Sequence, residues 1–278
     1  MYKPGLVDFH VHSNASDGIF SPEEVIKITS KAGLLAVGLT DHDTLIGLTE
    51  AALAAEKYGI ELIPGVEISV IEDNREIHIL GYYPQQESQF EEALNYLQKE
   101  RFVRMEAMIA KLKGLGIKIE TEEITLEAGT AAPGRLHLAR LMRKKNYVRS
   151  LNEAFALYLN RNRPAYVPRR TFNLREIMTL ILEVGAVPVI AHPGENGKTM
   201  IEKLVALGLK GIEVFHPDHD RSMINYYLDL AHQKKLIITG GSDFHGDSKL
   251  KINYPGHLAV SADYLDDLKK CRFNSSGI

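Results

Sequence analysis

The stretch Asp8-Phe9-His10-Val11-His12 has the alternation of a buried β-strand and ends in two histidines. Because side chains alternate between the faces of a strand, His10 and His12 are expected to point to the same side. Asp17 follows shortly afterwards and adds a carboxylate. Histidine and carboxylate groups that lie this close together suit divalent transition metals at neutral pH. The stretch therefore predicts a metal-binding strand end.

The same pattern recurs along the chain. Apolar segments predict further strands at 34–40, 62–68, 75–82, 187–191, 211–215 and 236–239, and helices at 22–32, 47–58, 199–207 and 222–233. This alternation favours a parallel sheet covered by helices, and in a (β/α) barrel the carboxyl ends of the strands meet at one face. The residues at or beside those ends are His10, His12, His42, Glu67, His192, Glu213, His216, Asp243 and His245. The repetition predicts a site for several metal ions.

The middle of the chain differs from its two ends. From residue 86 the sequence is mostly helical, with a weak strand signal only at 116–119, and one amphipathic stripe contains Phe90, Leu94, Leu97, Arg101 and Met105. We expect a barrel whose first part is 1–85 and whose second part is 166–278, interrupted by a basic helical insertion at 86–165.

Charge is distributed unevenly. Eleven Lys or Arg and one acid lie between Arg135 and Arg175, although the whole chain has a net charge of −3. An acidic body beside a basic segment suggests an anionic substrate held between them, while a solvated helix face is the alternative. We assign Arg140, Arg143 and Arg149 to such a solvated face. Aromatic residues of the insertion could stack on bases, but their helical spacing favours core packing; they are Tyr147, Phe155, Tyr158 and Tyr166.

Composition excludes several classes of protein. No signal-peptide core and no membrane-length apolar run is present, so a cytoplasmic location without membrane contact is expected, and no obligate protein partner is inferred. Cys271 is the sole cysteine, which leaves metal binding to histidines and carboxylates. Walker, dinucleotide-binding and Gly-x-Ser-x-Gly motifs are absent. Ser242 lies beside Asp243 and His245, but adjacency in sequence is not a catalytic triad.

Taken together, these motifs resemble the PHP superfamily (polymerase and histidinol phosphatase) over nearly the whole chain. The matching pieces are His10-Val11-His12 with Asp17, Thr40-Asp41-His42-Asp43, Gly65-Val66-Glu67, His78, Ala191-His192-Pro193-Gly194 and Ser242-Asp243-Phe244-His245. Ser16-Asp17-Gly18 and the insertion with Gly134-Arg135-Leu136-His137 look most like the TrpH-type branch. That branch includes nucleoside 3′,5′-bisphosphate phosphatases and the 5′→3′ exoribonuclease RNase AM.

The resemblance implies an α/β fold, a distorted (β/α)7 barrel with up to three divalent ions, of which manganese is expected first and zinc or iron are alternatives. One ion would take His10, His12, Glu67 and Asp243. A second would share Glu67 and add His78 and His192. A third would take Asp17, His42 and His245. We expect Asp8, Asp41 and Asp43 to orient ligand imidazoles rather than to bind metal.

The expected chemistry is hydrolysis of a phosphate ester. A hydroxide bridged by two metals would attack phosphorus in line, without a protein nucleophile. The residues expected to be catalytic are Asp17, His42, Glu67 and His219, with His219 or a metal-bound water protonating the leaving group. Those expected to bind the substrate, chiefly the phosphate that does not react, are Arg135, His137, Arg163 and His219.

The leading functional hypothesis is a phosphatase that removes the 3′-phosphate of nucleoside 3′,5′-bisphosphates. A close alternative is a 5′→3′ exoribonuclease that acts on short 5′-phosphorylated RNA. A histidinol-phosphate phosphatase is less favoured, because a single cationic substrate would not require so basic a segment. A metal-stabilised PHP module that binds without turnover is the non-enzymatic alternative.

Overall fold

One sheet of eight strands organises the part of the chain that the computed structural model describes, which comprises residues 5–73, 75–85, 88–195, 197–246 and 254–275. The strands are β1 Leu6–Val11, β2 Ala36–Leu39, β3 Glu61–Glu72, β4 Arg75–Tyr82, β5 Val187–Ala191, β6 Gly211–Phe215, β7 Ile237–Gly240 and β8 Val260–Ser261. Around the sheet lie α1 Pro22–Lys31, α2 Leu48–Tyr58, α3 Ser88–Gly114, α4 Thr121–Ala128, α5 Arg135–Lys144, α6 Leu151–Ala154, α7 Leu174–Glu183, α8 Gly197–Ala206, α9 Arg221–Lys234 and α10 Asp263–Ser275. A π-helical turn, Phe155–Leu159, continues α6.

The strand order is β7-β6-β5-β4-β3-β2-β1-β8. Strands β1 to β3 are parallel to one another, and so are β5 to β7. Strand β4 is antiparallel to both of its neighbours, because a short connection joins it to β3 and leaves no room for a crossover helix. His78 therefore reaches the site from within an antiparallel strand rather than from the carboxyl end of a parallel one.

The segment after β7 nearly closes the sheet into a barrel. The Asp243 N–H donates to the His10 carbonyl at 3.0 Å, and the His12 N–H donates to the Phe244 carbonyl at 2.9 Å. These bonds bring the two ends of the sheet together beside the paired histidines of β1. The predicted α/β barrel class is confirmed, with one addition to the seven expected strands: the two residues of β8 pair antiparallel with β1.

Local sequence signals explain where several helices begin. Ser21 and Asn173 each accept a hydrogen bond from the third residue of the following helix, whose glutamate bonds back to the cap. Such reciprocal capping satisfies backbone donors that the first helical turn leaves free. The strand signal at 116–119 was wrong, since this stretch is irregular. Its alternation arises because Ile117 and Ile119 are buried in the core of the insertion while Lys118 faces outward.

Helix α3 connects two apolar cores. Its first half contributes Phe90, Leu94 and Leu97 to the cluster formed by the sheet with α7, α8 and α9. Its second half, beginning at Met105, packs instead with α4, α5 and α6. The helical segment thus has a core of its own but is anchored on the barrel through α3. The division into barrel and insertion stays a prediction.

In the described part of the chain, we find no helix with the length and apolar character needed to cross a membrane.

Candidate metal centre

Glu67 lies at the centre of the site. It is carried by β3, is 1% exposed, and has imidazole nitrogens close to both of its carboxylate oxygens. His78 Nδ1 and His192 Nε2 lie 2.7 and 3.0 Å from Oε1. The nitrogens near Oε2 lie between 3.1 and 3.3 Å away and belong to His10, His12 and His42. One buried carboxylate thus faces five histidines that come from four separate elements or strand ends.

The first predicted ligand set converges on one oxygen of Glu67. His10 Nε2 and His12 Nε2 are 3.0 Å apart, because His12 follows directly after β1 and its side chain lies on the same side as that of His10. Asp243 Oδ1 lies 3.2 Å from His12 Nε2 and 3.6 Å from His10 Nε2. The hydrogen bonds that close the barrel bring Asp243 to this position. His10, His12 and Glu67 form a group whose donor atoms lie within 4.8 Å of one another, and Asp243 lies beside its two histidines.

The second predicted set lies at the other oxygen of Glu67. His78 Nδ1 and His192 Nε2 are separated by 3.3 Å, so all three donor atoms are mutually close. Strand β4 pairs with both β3 and β5, and this pairing places His78 beside Ala191, the residue that precedes His192.

The third predicted set lies next to the first. Donor atoms of Asp17, His42 and His245 lie within 4.8 Å of one another, together with one from His12. His245 Nε2 is 3.1 Å from Asp17 Oδ1. The structure therefore brings all nine predicted ligands into one contiguous cluster, and it adds His12 as a neighbour of the third set.

The donor atoms fit divalent metal ions. His42 Nδ1 and Asp17 Oδ1 are buried close to other ligands, yet neither makes a hydrogen bond of normal geometry. Burial opposes ionisation of Glu67, but the imidazoles of His42, His78 and His10 hold its pKa well below the usual value. A buried carboxylate whose two oxygens face imidazole nitrogens offers the oxygen and nitrogen donors that manganese, zinc or iron accepts in proteins.

Glu213 holds two of the predicted ligands in place. Its Oε1 accepts from His10 Nδ1 at 2.9 Å, and its Oε2 accepts the His192 backbone N–H at 2.8 Å. Because His10 donates through Nδ1, the lone pair of its Nε2 faces the other ligands. Sequence reasoning singled out Glu213 without a role, since only the fold brings its side chain between His10 and the loop after β5.

His216 lies beside the second predicted ligand set. Its donor atom lies near those of His192 and Glu213. However, Glu213 uses both oxygens on other partners, and His216 Nδ1 accepts the Asp218 backbone N–H at 3.1 Å. His216 Nε2 lies 3.6 Å from Asp243 Oδ2 and is buried without a hydrogen bond of normal geometry.

The expectation that Asp8, Asp41 and Asp43 orient ligand imidazoles was wrong. Asp8 accepts backbone N–H groups of His10, Ser242 and Gly256. Asp41 accepts from the hydroxyls of Ser13 and Ser16 and from the Ser13 backbone N–H. Asp43 binds the guanidinium groups of Arg101 and Arg169. A short carboxylate after a strand reaches nearby backbone, hydroxyl or guanidinium donors more readily than the imidazoles.

A cavity of about 140 Å³ opens onto the ligand cluster. Its walls contain predicted ligands from all three sets and, in addition, Arg101 and Arg104 of α3 and Arg135 of α5. Sequence analysis missed Arg101 and Arg104 as site residues. The available signal was the place of Arg101 within an apolar stripe, where an arginine must find buried partners.

The cavity arginines have acidic partners on the barrel. Arg135 Nη2 donates to Glu76 Oε2 at 2.7 Å, and Arg104 Nη1 lies 3.8 Å from Glu76 Oε1. Burial opposes ionisation of Glu76, but Arg135, His78 and Arg104 lower its pKa to about 2. Glu76 therefore remains ionised and holds the guanidinium of Arg135 at the cavity wall.

The remaining residues that were predicted to bind the substrate are His137, Arg163 and His219. Burial lowers the pKa of His137 to about 4, so its ring is neutral at pH 7, and Nδ1 accepts the Gly134 N–H at 3.0 Å. Arg163 is exposed and does not line the cavity, and the same cavity wall lacks His219. Arg143 and Arg149 are exposed as expected, but assigning Arg140 to a solvated face was wrong, since it is 7% exposed. Arg140 is buried because α5 packs its whole central portion inside the insertion.

Known proteins resemble this chain over almost its full length. A 3′,5′-nucleoside bisphosphate phosphatase of Chromobacterium violaceum is 32% identical, with 94% of this chain and 92% of that protein covered. A phosphoribosyl 1,2-cyclic phosphate 1,2-diphosphodiesterase of Eggerthella lenta is 31% identical, with 87% and 94% covered. A 5′-3′ exoribonuclease of Haemophilus influenzae is 32% identical, with 86% and 89% covered.

The fold and a family model agree with these relatives. The crystal structure of a protein described as a metal-dependent phosphoesterase, from Bifidobacterium adolescentis, has a TM-score of 0.89 and 26% identity, with 97% of this chain and 98% of that chain covered. Residues 8–127 match the model of the PHP domain. The chain therefore belongs to the PHP family of metal-dependent phosphoesterases.

Proposed function

We propose that this protein hydrolyses phosphate esters of nucleotides and that its main substrates are nucleoside 3′,5′-bisphosphates, from which it removes the 3′-phosphate. One observation carries the proposal: a cluster of histidines and carboxylates shares a single cavity with Arg101, Arg104 and Arg135. A substrate with two phosphates can present one to the ligand cluster and the other to the arginines. The named activity of the Chromobacterium relative supports the same substrate class.

The three ligand sets named above would each hold one divalent ion, with Glu67 shared between the first two. Such ions supply Lewis-acid activation of water and neutralise charge on the phosphoryl oxygens. Arg135 would bind the phosphate that is not hydrolysed, because its guanidinium offers five N–H donors and Glu76 accepts only some of them. Glu213 would keep His10 in the tautomer whose Nε2 lone pair faces the site.

The size of the cavity limits what it can enclose. Its volume of about 140 Å³ is below the range of about 300–1,000 Å³ that is typical of pockets enclosing a whole drug-sized ligand. The cavity would therefore enclose the reacting phosphate, while the second phosphate would meet the arginines of its wall. The base would extend outward from the cavity.

A 5′→3′ exoribonuclease activity is the second candidate. The same volume favours it, because a ligand that extends out of the cavity can be one nucleotide or the end of an RNA strand. The Haemophilus relative is named for this activity. Histidinol phosphate is less favoured, because its cationic amine would meet the arginines of the cavity wall.

The deciding experiment measures phosphate release by manganese-loaded protein from four substrates: 3′-phosphoadenosine 5′-phosphate, AMP, a short 5′-phosphorylated RNA and histidinol phosphate. Release from the bisphosphate but not from AMP is expected, and it should be lost after chelation and in Asp17→Ala. Mononucleotides that accumulate from the RNA would instead establish the exoribonuclease. Inactivity on all four, with metal demonstrably bound, would refute both and favour a binding module.

Replacing Arg135 tests the assignment of the second phosphate. Arg135→Gln is expected to raise KM for the bisphosphate about 10- to 100-fold, because a charge-assisted contact to phosphate contributes roughly 1.5–3 kcal/mol. The matched control is Arg163→Gln, because Arg163 is exposed outside the cavity wall. Steady-state kinetics give KM for both variants. Equal effects on KM would contradict the assignment of the second phosphate to Arg135.

A further inference from the structure

We infer that His219 and Tyr227 are positioning residues that hold the loop 192–194 in the conformation required for binding the second metal ion. The inference rests on the proposed function for the presence of that ion. It gives His219 a different role from the proton donor that its sequence position suggested, and it gives Tyr227 a role that its sequence position did not indicate.

The loop has an uncommon backbone conformation. His192 has φ of +27° and Gly194 has φ of +61°. A residue with a side chain rarely adopts positive φ, and it keeps that conformation only where its surroundings hold it there. His192 must therefore be held by contacts outside the loop if its imidazole is to remain beside Glu67.

Three side chains supply these contacts. Glu213 accepts the His192 N–H at 2.8 Å. His219 Nε2 accepts the Gly194 N–H at 3.2 Å, and the hydroxyl of Tyr227 donates to the Gly194 carbonyl. Gly194 is thus held on both of its backbone polar groups by residues from the β6–α9 connection and from α9.

His219 is itself held in place by the backbone. Its Nδ1 donates to the Val214 carbonyl at 2.8 Å, and this bond leaves Nε2 as the acceptor for Gly194. The ring is 7% exposed and lies against Tyr227, with 5.4 Å between the ring centroids. Both nitrogens of His219 form hydrogen bonds to backbone groups outside the cavity. This arrangement fits a residue that holds the loop in place and not one that delivers a proton to a leaving group.

Loss of the hydrogen bonds from His219 and Tyr227 to Gly194 should affect the three ligand sets unequally. His192 Nε2 lies 3.0 Å from Glu67 Oε1 and 3.3 Å from His78 Nδ1, so a relaxed loop would open the second set. His78 lies in a strand that is paired on both sides and does not depend on the loop. The third set, which includes Asp17 and His245, lies on other connections.

The test uses manganese(II) chloride and the full chain. Tyr227→Phe removes one oxygen, and Tyr226→Phe is the matched control, because the neighbouring Tyr226 is 39% exposed. Metal content after equilibrium dialysis and calorimetric titration are expected to show one ion bound about 10- to 100-fold more weakly in Tyr227→Phe, with the remaining ions unchanged. The control should match the wild type, and unchanged affinity for every ion in Tyr227→Phe would overturn the inference.

Two substitutions at His219 separate positioning from proton transfer. His219→Gln places an amide oxygen near the position of Nε2 and can still accept the Gly194 N–H, whereas His219→Phe cannot. We expect His219→Gln to bind the weakened ion more tightly than His219→Phe does. If both variants bind every ion as tightly as the wild type and both lose turnover, His219 is a proton donor and the inference fails.

Two further measurements keep the outcomes distinct. Thermal melting of the chelated variants shows whether each one folds, and if His219→Phe does not, the Tyr227→Phe result decides alone. Wild-type protein that binds no manganese or zinc would overturn the proposed function and this inference together. Wild-type protein that binds several ions while Tyr227→Phe binds them equally well would overturn only the inference.

Discussion

Glu67→Gln is expected to lower kcat/KM for phosphate release at least about 10³-fold, which corresponds to about 4 kcal/mol of transition-state stabilisation. The reason is the position of this carboxylate, whose two oxygens face five imidazoles and serve the first two ligand sets at once. An amide can offer one neutral oxygen in place of two charged ones. Both of the ions that share Glu67 should therefore bind more weakly.

Weaker metal binding by Glu67→Gln should also reduce the increase in melting temperature that manganese causes. An ion that binds the folded state only raises the melting temperature, and this increment disappears when affinity is lost. Manganese should accordingly raise the melting temperature of the wild type much more than that of Glu67→Gln. Glu72→Gln is the matched control, because Glu72 lies on the same strand and pairs with Lys203 at the surface. A Glu67→Gln variant with more than a tenth of wild-type turnover would contradict the central role of this residue.

Asp43→Asn is expected to destabilise the chelated protein by about 3–5 kcal/mol, because removing one partner of a buried ion pair leaves the other charge uncompensated. Asp43 is fully buried, and its Oδ2 is shared by Arg101, at 2.6 Å, and Arg169. These are long-range contacts that attach α3 and the chain after the insertion to the end of β2. Urea denaturation of the metal-free variants measures the effect.

Asp73→Asn controls for backbone conformation. Asp43 and Asp73 have φ of +53° and +48°, and asparagine tolerates this region as well as aspartate does. Asp73, however, is exposed and pairs with Lys203 at the surface, where such pairs contribute about 0–1 kcal/mol. Equal destabilisation by the two substitutions would show that the buried arginines are not the cause.

The effect of Asp43 should also depend on pH with a definite sign. Burial opposes its ionisation, but Arg169 and Arg101 hold its pKa below the ordinary value of 3.8. A lowered pKa in the folded state means that the carboxylate stabilises the protein fully above the unfolded pKa and loses this contribution as pH falls through the folded pKa. The stability difference between wild type and Asp43→Asn should therefore be constant between pH 5 and 8 and should narrow only in stronger acid.

Several features could be predicted from the sequence because they depend on local geometry. The alternation in Asp8–His12 placed the side chains of His10 and His12 on the same side, and the helix predicted at 22–32 begins at Pro22, directly after its cap Ser21. Polar residues after successive parallel strands converge wherever those strands form one sheet. The α/β class and the clustering of the nine predicted ligands follow from these periodicities and from the family resemblance.

Other features were decided only by contacts between residues far apart in the chain. In the sequence, Arg101 is one member of an amphipathic stripe. Only the packing of α3 on the barrel brings its guanidinium to Asp43. The role of Glu213 depends on the fold, which places its side chain between His10 and the loop 192–194. His219 was expected to face the substrate, but both of its nitrogens form hydrogen bonds to the backbone. A sequence pattern reports the face on which a side chain lies, because that depends on the backbone period alone. Which partner a buried polar group finds depends on how distant segments pack, because burial requires each such group to be paired with whatever donor or acceptor the fold places beside it.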